Sequence, residues 1–138
     1  MRKALIAGTA LTCLMLAVVS AGAQGGKTPT VKEVMKKLNY RDAALCPTIG
    51  KALKANPVNW DEVQKEARQF AEFAEALPKN DPPAGDKASW NKLTQAYVSA
   101  AQELNAAAQR KDQAAAVTAH GKLANPATCN GCHKTHRN

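Results

Sequence analysis

The sequence predicts an all-α fold, and three observations support that prediction. Apolar residues recur at helical spacing along most of the chain, capping residues and prolines separate these stretches, and no segment has the alternation of a β-strand. Aromatic residues make up only 4% of the 138 residues, against 45% for all hydrophobic residues. Alanine, valine and leucine therefore supply most of the apolar faces, which favours helices over a β-sandwich. A chain of this length suits one domain.

Residues 1–23 have the pattern of a secretory signal peptide. Two basic residues precede an apolar run over 4–19, and small residues follow up to an A-x-A site at 21–23. The alternative is a transmembrane anchor, but the run is short for a span and contains a glycine and two threonines. We expect cleavage after residue 23, a periplasmic domain over 24–138, and no stable membrane span after cleavage.

Four amphipathic stretches divide the rest of the chain. A capping box of Thr30 and Glu33 opens the first, and Asn59 and Asp112 are the predicted caps of the second and the fourth. Each stretch has one apolar face that it cannot bury alone, and the connections are short. The simplest arrangement is an antiparallel up-down-up-down four-helix bundle. The stretches cover 31–55 with a break between Asn39 and Pro47, 59–77, 87–108, and 113–137 with a break at Asn125-Pro126.

The chemistry is concentrated near the C-terminus, where residues 129–133 read C-N-G-C-H. C-x-x-C-H is the attachment signature of c-type haem. On a helix, positions i, i+3 and i+4 share one face, so both thiols and the imidazole can approach a porphyrin from the same side. We expect one covalent haem c, with thioether bonds at Cys129 and Cys132 and with His133 as the proximal iron ligand. Covalent attachment takes place outside the bacterial cytoplasm, which agrees with the signal peptide.

Two other interpretations of these cysteines are weaker. Together with His133 and His136 they supply four zinc-ligand types, but structural zinc sites usually take two pairs from separate segments. A thioredoxin-like disulfide would need a βαβ context, which is missing from the sequence. Cys46 is the third cysteine beyond the signal peptide and has no obvious partner. We expect a free thiol there, with an intermolecular disulfide as the alternative.

A haem signature at the C-terminal end of a helical chain resembles the class II cytochromes c, the cytochrome c′ type. The specific likeness covers 129–137 and ends in His136 and Arg137, where the family often has an aromatic residue and then arginine. The break at Asn125-Pro126 and the histidine at 136 depart from the family pattern. The resemblance implies a four-helix bundle with a single haem, Arg137 at a haem propionate, and a homodimer in many relatives.

Met35 is the candidate distal ligand of the iron. It is the only methionine outside the signal peptide. In an up-down-up-down bundle, the start of the first stretch and the end of the fourth lie at the same end of the molecule, which brings Met35 towards His133. In low-spin members of the resembled family, a methionine at this position binds the iron. Packing alone is the alternative, because methionine is a common core residue.

The sequence gives weaker evidence that three further side chains belong to the haem site. His120 lies 13 residues before His133. That is about 20 Å along a helix, too far to bind the same iron, so we expect a solvated position. Trp90 and Tyr97 share the apolar face of the third stretch, and they either line the haem cavity or pack in the core.

The charge balance suits an electron carrier with an acidic redox partner. Lysine and arginine exceed aspartate and glutamate by 8, or by 6 without the signal peptide. Such a charge steers anionic partner proteins, and the lack of a basic cluster in the sequence argues against nucleic acid. No nucleophile–base pair or carboxylate dyad stands out, so we expect an electron carrier and not an enzyme. In the alternative, a five-coordinate, high-spin haem binds NO or CO.

Overall fold

A computed structural model describes residues 26–137, and that part of the chain contains six α-helices and no β-strand. The all-α prediction is confirmed. The predicted signal peptide and its cleavage site lie outside the described residues. The helices are α1 (Val31–Asn39), α2 (Leu45–Ala52), α3 (Trp60–Ala74), α4 (Lys87–Gln109), α5 (Gln113–Ala124) and α6 (Pro126–His136), with a short 3₁₀ turn at Leu77–Lys79.

Local capping side chains set where five of the six described helices begin. The predicted capping box is present at α1, where Glu33 N donates to the Thr30 hydroxyl at 3.3 Å and Thr30 N donates to the Glu33 carboxylate at 2.8 Å. The hydrogen bonds that the Thr30 backbone N–H and hydroxyl donate to the Glu33 carboxylate hold the pKa of Glu33 below its ordinary value. The predicted caps at α3 and α5 are confirmed, and Asp86 caps α4 in the same way. Each cap satisfies backbone N–H groups that the helix itself leaves without acceptors.

The two predicted breaks divide two of the four stretches into pairs of helices. The first stretch is interrupted over 40–44, and Pro47 falls in the first turn of α2, where a missing N–H costs little. Pro126 is the first residue of α6, and the Asn125 side chain caps that helix by accepting from Ala127 N at 2.9 Å. Both prolines therefore lie in the first turn of a helix and do not kink it.

The core joins all the helices before α6. Helix α4 packs along both α3 and α5, and α2 packs against α3 and α5. Alanines at the contacts of α3, α4 and α5 let the helix backbones approach closely. Nine large apolar side chains are almost fully buried: Val34, Leu38, Ile49, Leu53, Val63, Phe70, Leu77, Leu104 and Leu123.

Helix α6 is held differently from the others. It packs mainly on the adjoining α5 and on α4, and His136 is its one buried residue. Among residues 26–137, none of the helices combines the length and the apolar character that crossing a membrane requires.

His120 is not the solvated residue that the sequence suggests. Its ring is half-buried between α5 and α2, and Nε2 donates to the Cys46 carbonyl at 2.7 Å. The contact depends on Gly50, because a Cβ there would lie 2.7 Å from the His120 ring. Spacing along the chain could not reveal this, since the partners are 74 residues apart. His120 therefore joins α5 to α2.

Candidate functional site

A cavity of about 1240 Å³ lies where α1, α4 and α6 meet. Pockets for small ligands usually measure about 300–1,000 Å³, so there is room here for a large cofactor. Its lining is mainly apolar away from the charged residues at its mouth. Val31 and Met35 come from α1, Trp90, Leu93 and Tyr97 from α4, and Leu123 from α5. Trp90 and Tyr97 thus line the cavity and also pack in the core.

The residues of the C-x-x-C-H segment form one side of this cavity. Cys129, Cys132 and His133 all line it, because α6 places positions i, i+3 and i+4 on one face. Both thiols are half-buried and free, while His133 is exposed. Burial, with a smaller contribution from the neighbouring Cys129, raises the pKa of the Cys132 thiol. Two thiols and an imidazole are therefore presented together to the same space.

Met35 faces the same cavity from α1. It is half-buried and packs against the core formed by its neighbours Val34 and Leu38. Met35 and the C-terminal residues 129, 132 and 133 therefore line the same cavity, and the sequence predicts that they lie at the same end of the molecule. A thioether at one wall and an imidazole at another are the pair of axial ligands found in electron-transfer haem sites.

Asn39, which lies beside Met35, was not identified from the sequence, whereas Tyr97 was predicted either to line the haem cavity or to pack in the core. The Asn39 side-chain amide donates to the Tyr97 hydroxyl at 3.1 Å, and it lies 3.8 Å from the Met35 sulfur. Burial raises the pKa of Tyr97, so its hydroxyl stays protonated near neutral pH. The i+4 spacing of Asn39 from Met35 was visible in the sequence, but its link to Tyr97 spans 58 residues.

His136 fastens the end of α6 to the rest of the fold. Only 2% of its surface is exposed. Its Nδ1 donates to the Ala84 carbonyl at 2.7 Å, and its Nε2 accepts from the Ser89 hydroxyl at 3.1 Å. The ring also meets the edge of Trp90, with centroids 5.5 Å apart. His136 thus holds the end of α6 against α4 and the segment before it.

This arrangement weakens the zinc alternative. Both ring nitrogens of His136 already have hydrogen-bond partners, so neither is available as a metal ligand. Within the part of the chain that the structure describes, no three ligand-type side chains form a group that could hold a metal ion.

The mouth of the cavity is positively charged. Arg137 is exposed there, together with Lys32 and Lys36 of α1 and Lys122 of α5. Lys122 is paired with Glu103 at 2.6 Å. No aspartate or glutamate is among the described residues that line the cavity. This charge suits carboxylates, whether they belong to a cofactor or to a partner surface.

Cys46 lies away from the cavity lining and is shielded from solvent. Its sulfur is 3.6 Å from His120 Nε2. Burial, and to a lesser extent the nearby Cys129, raises the pKa of its thiol to about 11. The structure therefore supports a protected free thiol at this position more than an intermolecular disulfide.

Cys46 should resist alkylation in the folded protein. The thiolate is the reactive form, and a pKa of about 11 leaves little thiolate at pH 8. We expect iodoacetamide to modify Cys46 on the order of 100-fold more slowly in the native protein than in the urea-unfolded chain. Peptide-resolved mass spectrometry measures both rates. Equal rates in the two states would contradict this environment.

The donor set and the volume of the cavity fit a haem attached to α6. Cys129 and Cys132 could form its two thioether bonds, and the basic mouth could receive its two carboxylates. The site is thus compatible in size, chemistry and charge with the group that the sequence predicts. In comparisons with known proteins, no family model, no curated protein and no solved structure matches this chain.

Proposed function

We propose that the protein is a periplasmic c-type cytochrome of the class II kind, an electron carrier and not an enzyme. One observation carries the proposal: the C-x-x-C-H segment and the only methionine outside the signal peptide line one large cavity. When bound, the haem supplies a one-electron iron couple. The likeness of 129–137 to the class II signature supports the family assignment.

Each site residue has a distinct task in this proposal. Cys129 and Cys132 hold the cofactor permanently, and His133 serves as the proximal ligand. Met35 serves as the distal ligand, and a methionine in that position raises the reduction potential. Arg137, which follows His133 by four residues, pairs with a propionate through a charge-assisted hydrogen bond. Apolar residues of α1 and α4 exclude water from the iron.

The finer fold that we propose is the up-down-up-down four-helix bundle. The first element of this bundle consists of α1 and α2, the second of α3, the third of α4, and the fourth of α5 and α6. Support comes from the packing of α3 on α4 and of α4 on α5, and from the short connections between them. In this arrangement the first and the last element can both reach the cavity.

The partner that fits best is an acidic redox protein in the periplasm. Exposed Lys32, Lys36 and Arg137 stand at the mouth of the cavity, where a partner must approach the haem edge. Electrostatic attraction by such a mouth speeds encounters with an anionic surface. The likeness to the class II cytochromes c also makes a homodimer part of the proposal. Nucleic acid is not a proposed partner. The predicted signal peptide indicates export.

A second candidate function is binding of NO or CO at a five-coordinate iron. The specific observation in its favour is the polar pair at the distal wall, because the Asn39 amide and the Tyr97 hydroxyl can both donate hydrogen bonds. Met35 would then only pack. Electron transfer is favoured because a thioether sulfur faces the same cavity.

The first test is whether haem is covalently attached. We expect acidified organic solvent to leave the haem on the polypeptide when the full chain is produced in a host that matures c-type cytochromes. The Cys129→Ser/Cys132→Ser variant should release or fail to acquire it. Cys46→Ser is the matched control and should retain the haem. Haem that is extracted from the unsubstituted protein would refute the proposed function.

A further inference from the structure

A polar pair lies beside Met35 in a mainly apolar wall of the cavity. Asn39 follows Met35 by one helical turn on α1, and its amide Nδ2 is 3.8 Å from the Met35 sulfur. The same nitrogen donates to the Tyr97 hydroxyl oxygen at 3.1 Å. We propose that Asn39 is a positioning residue that holds the Met35 sulfur for the iron, and that Tyr97 anchors Asn39. This inference rests on the haem site proposed above.

The hydrogen-bonding capacities of the three side chains match. A primary amide carries two N–H donors, so Asn39 can direct one at Tyr97 and the other at Met35. A thioether sulfur has two lone pairs. One can accept a weak hydrogen bond while the other is available to a metal. The contact with Asn39 therefore does not compete with ligation of iron.

The need for positioning comes from the flexibility of methionine. Its side chain has three rotatable bonds and adapts easily to irregular spaces. Met35 is only half-buried, so packing alone fixes it less firmly than it fixes the neighbouring Leu38. A directional contact with an amide one turn away on the same helix limits where the sulfur can move.

Tyr97 provides the fixed point for this arrangement. Its ring packs on the fully buried Phe70, with centroids 5.9 Å apart. Asn39 is itself exposed and is the last residue of α1, where a side chain is poorly restrained. The hydrogen bond to a core-packed tyrosine on α4 therefore gives Asn39 a defined orientation. It also ties the distal wall of the cavity to the core.

The test uses the haem-loaded protein and the Asn39→Leu variant, which keeps the side-chain shape but removes both donors. We expect a weaker sulfur-to-iron charge-transfer band in the ferric state. We also expect about twofold tighter apparent CO binding in the ferrous state, since a weak hydrogen bond to sulfur lies at the low end of the range for such contacts. Asn39→Gln, which retains the amide, should recover part of the band. The matched control is Asn105→Leu on α4, outside the cavity lining, and it should leave both readouts unchanged.

A double-mutant cycle tests the role of Tyr97. Tyr97→Phe should act in the same direction as Asn39→Leu, and it should add nothing in the Asn39→Leu background. Independent effects of the two changes would overturn the anchoring role. A wild-type band and CO affinity in folded Asn39→Leu would overturn positioning while leaving the proposed haem protein intact. A high-spin wild type without the band would overturn ligation by Met35, and with it this inference, yet covalent haem would remain.

Discussion

Replacing Met35 with alanine should convert a low-spin ferric cytochrome into a high-spin one and open its iron to CO. The substitution removes the only thioether among the described residues that line the cavity. If the ligated state holds about 99% of the molecules, removing the competing sulfur tightens apparent CO binding by about 100-fold. Absorption spectra of the ferric and ferrous forms, with and without CO, measure both changes.

The matched control is Val31→Ala. Val31 lies one turn before Met35 on α1 and lines the same cavity, so its truncation removes apolar volume without removing the sulfur. We expect this variant to remain low-spin and to bind CO as weakly as the wild type. A wild type that is already high-spin and binds CO tightly would instead favour the gas-binding function. If Met35→Ala and Val31→Ala both became high-spin and bound CO tightly, cavity volume, and not ligation by Met35, would control the spin state of the iron.

Local signals were sufficient to predict the helices and their ends. Thr30, Asn59 and Asp112 cap helices because their side chains reach N–H groups only a few residues away. Pro47 and Pro126 mark breaks because proline has no N–H to donate within a helix. The common face of residues 129–133 likewise depends only on helical geometry. Such features need no knowledge of the tertiary structure.

The contacts that support the site could not be predicted in the same way. His136 meets Ala84 and Ser89 across separations of 52 and 47 residues, so neither pairing leaves a periodic pattern in the sequence. The link from Asn39 to Tyr97 is equally distant. These contacts depend on how the helices pack, and several helix registers would be compatible with the same apolar stripes. A single sequence therefore predicted the candidate haem-binding residues but not the contacts that hold them.

Gly85→Ala should loosen the end of α6 and destabilise the protein by about 2–3 kcal/mol. Gly85 has a φ of +78°, a conformation that costs alanine about 1–2 kcal/mol. A Cβ there would also lie 2.8 Å from the Thr135 carbonyl oxygen and 3.0 Å from His136 Nδ1. The carbonyl belongs to the helix backbone and cannot move alone, so the whole end of α6 must shift. Urea unfolding measures the stability, and hydrogen exchange of α6 amides measures the local loosening.

Gly121→Ala is the control for this prediction. Gly121 lies inside α5, and a Cβ there meets nothing within 4 Å. Alanine should therefore stabilise the protein by about 0.5–1 kcal/mol through its better helix propensity. Gly85→Ala and His136→Ala should combine less than additively, because both disrupt the same contact between α6 and the segment before α4. If Gly85→Ala, like Gly121→Ala, did not destabilise the protein, the contacts between His136 and the segment before α4 would not be what holds α6. The orientation of Cys129, Cys132 and His133 towards the cavity would then have to come from the proposed haem.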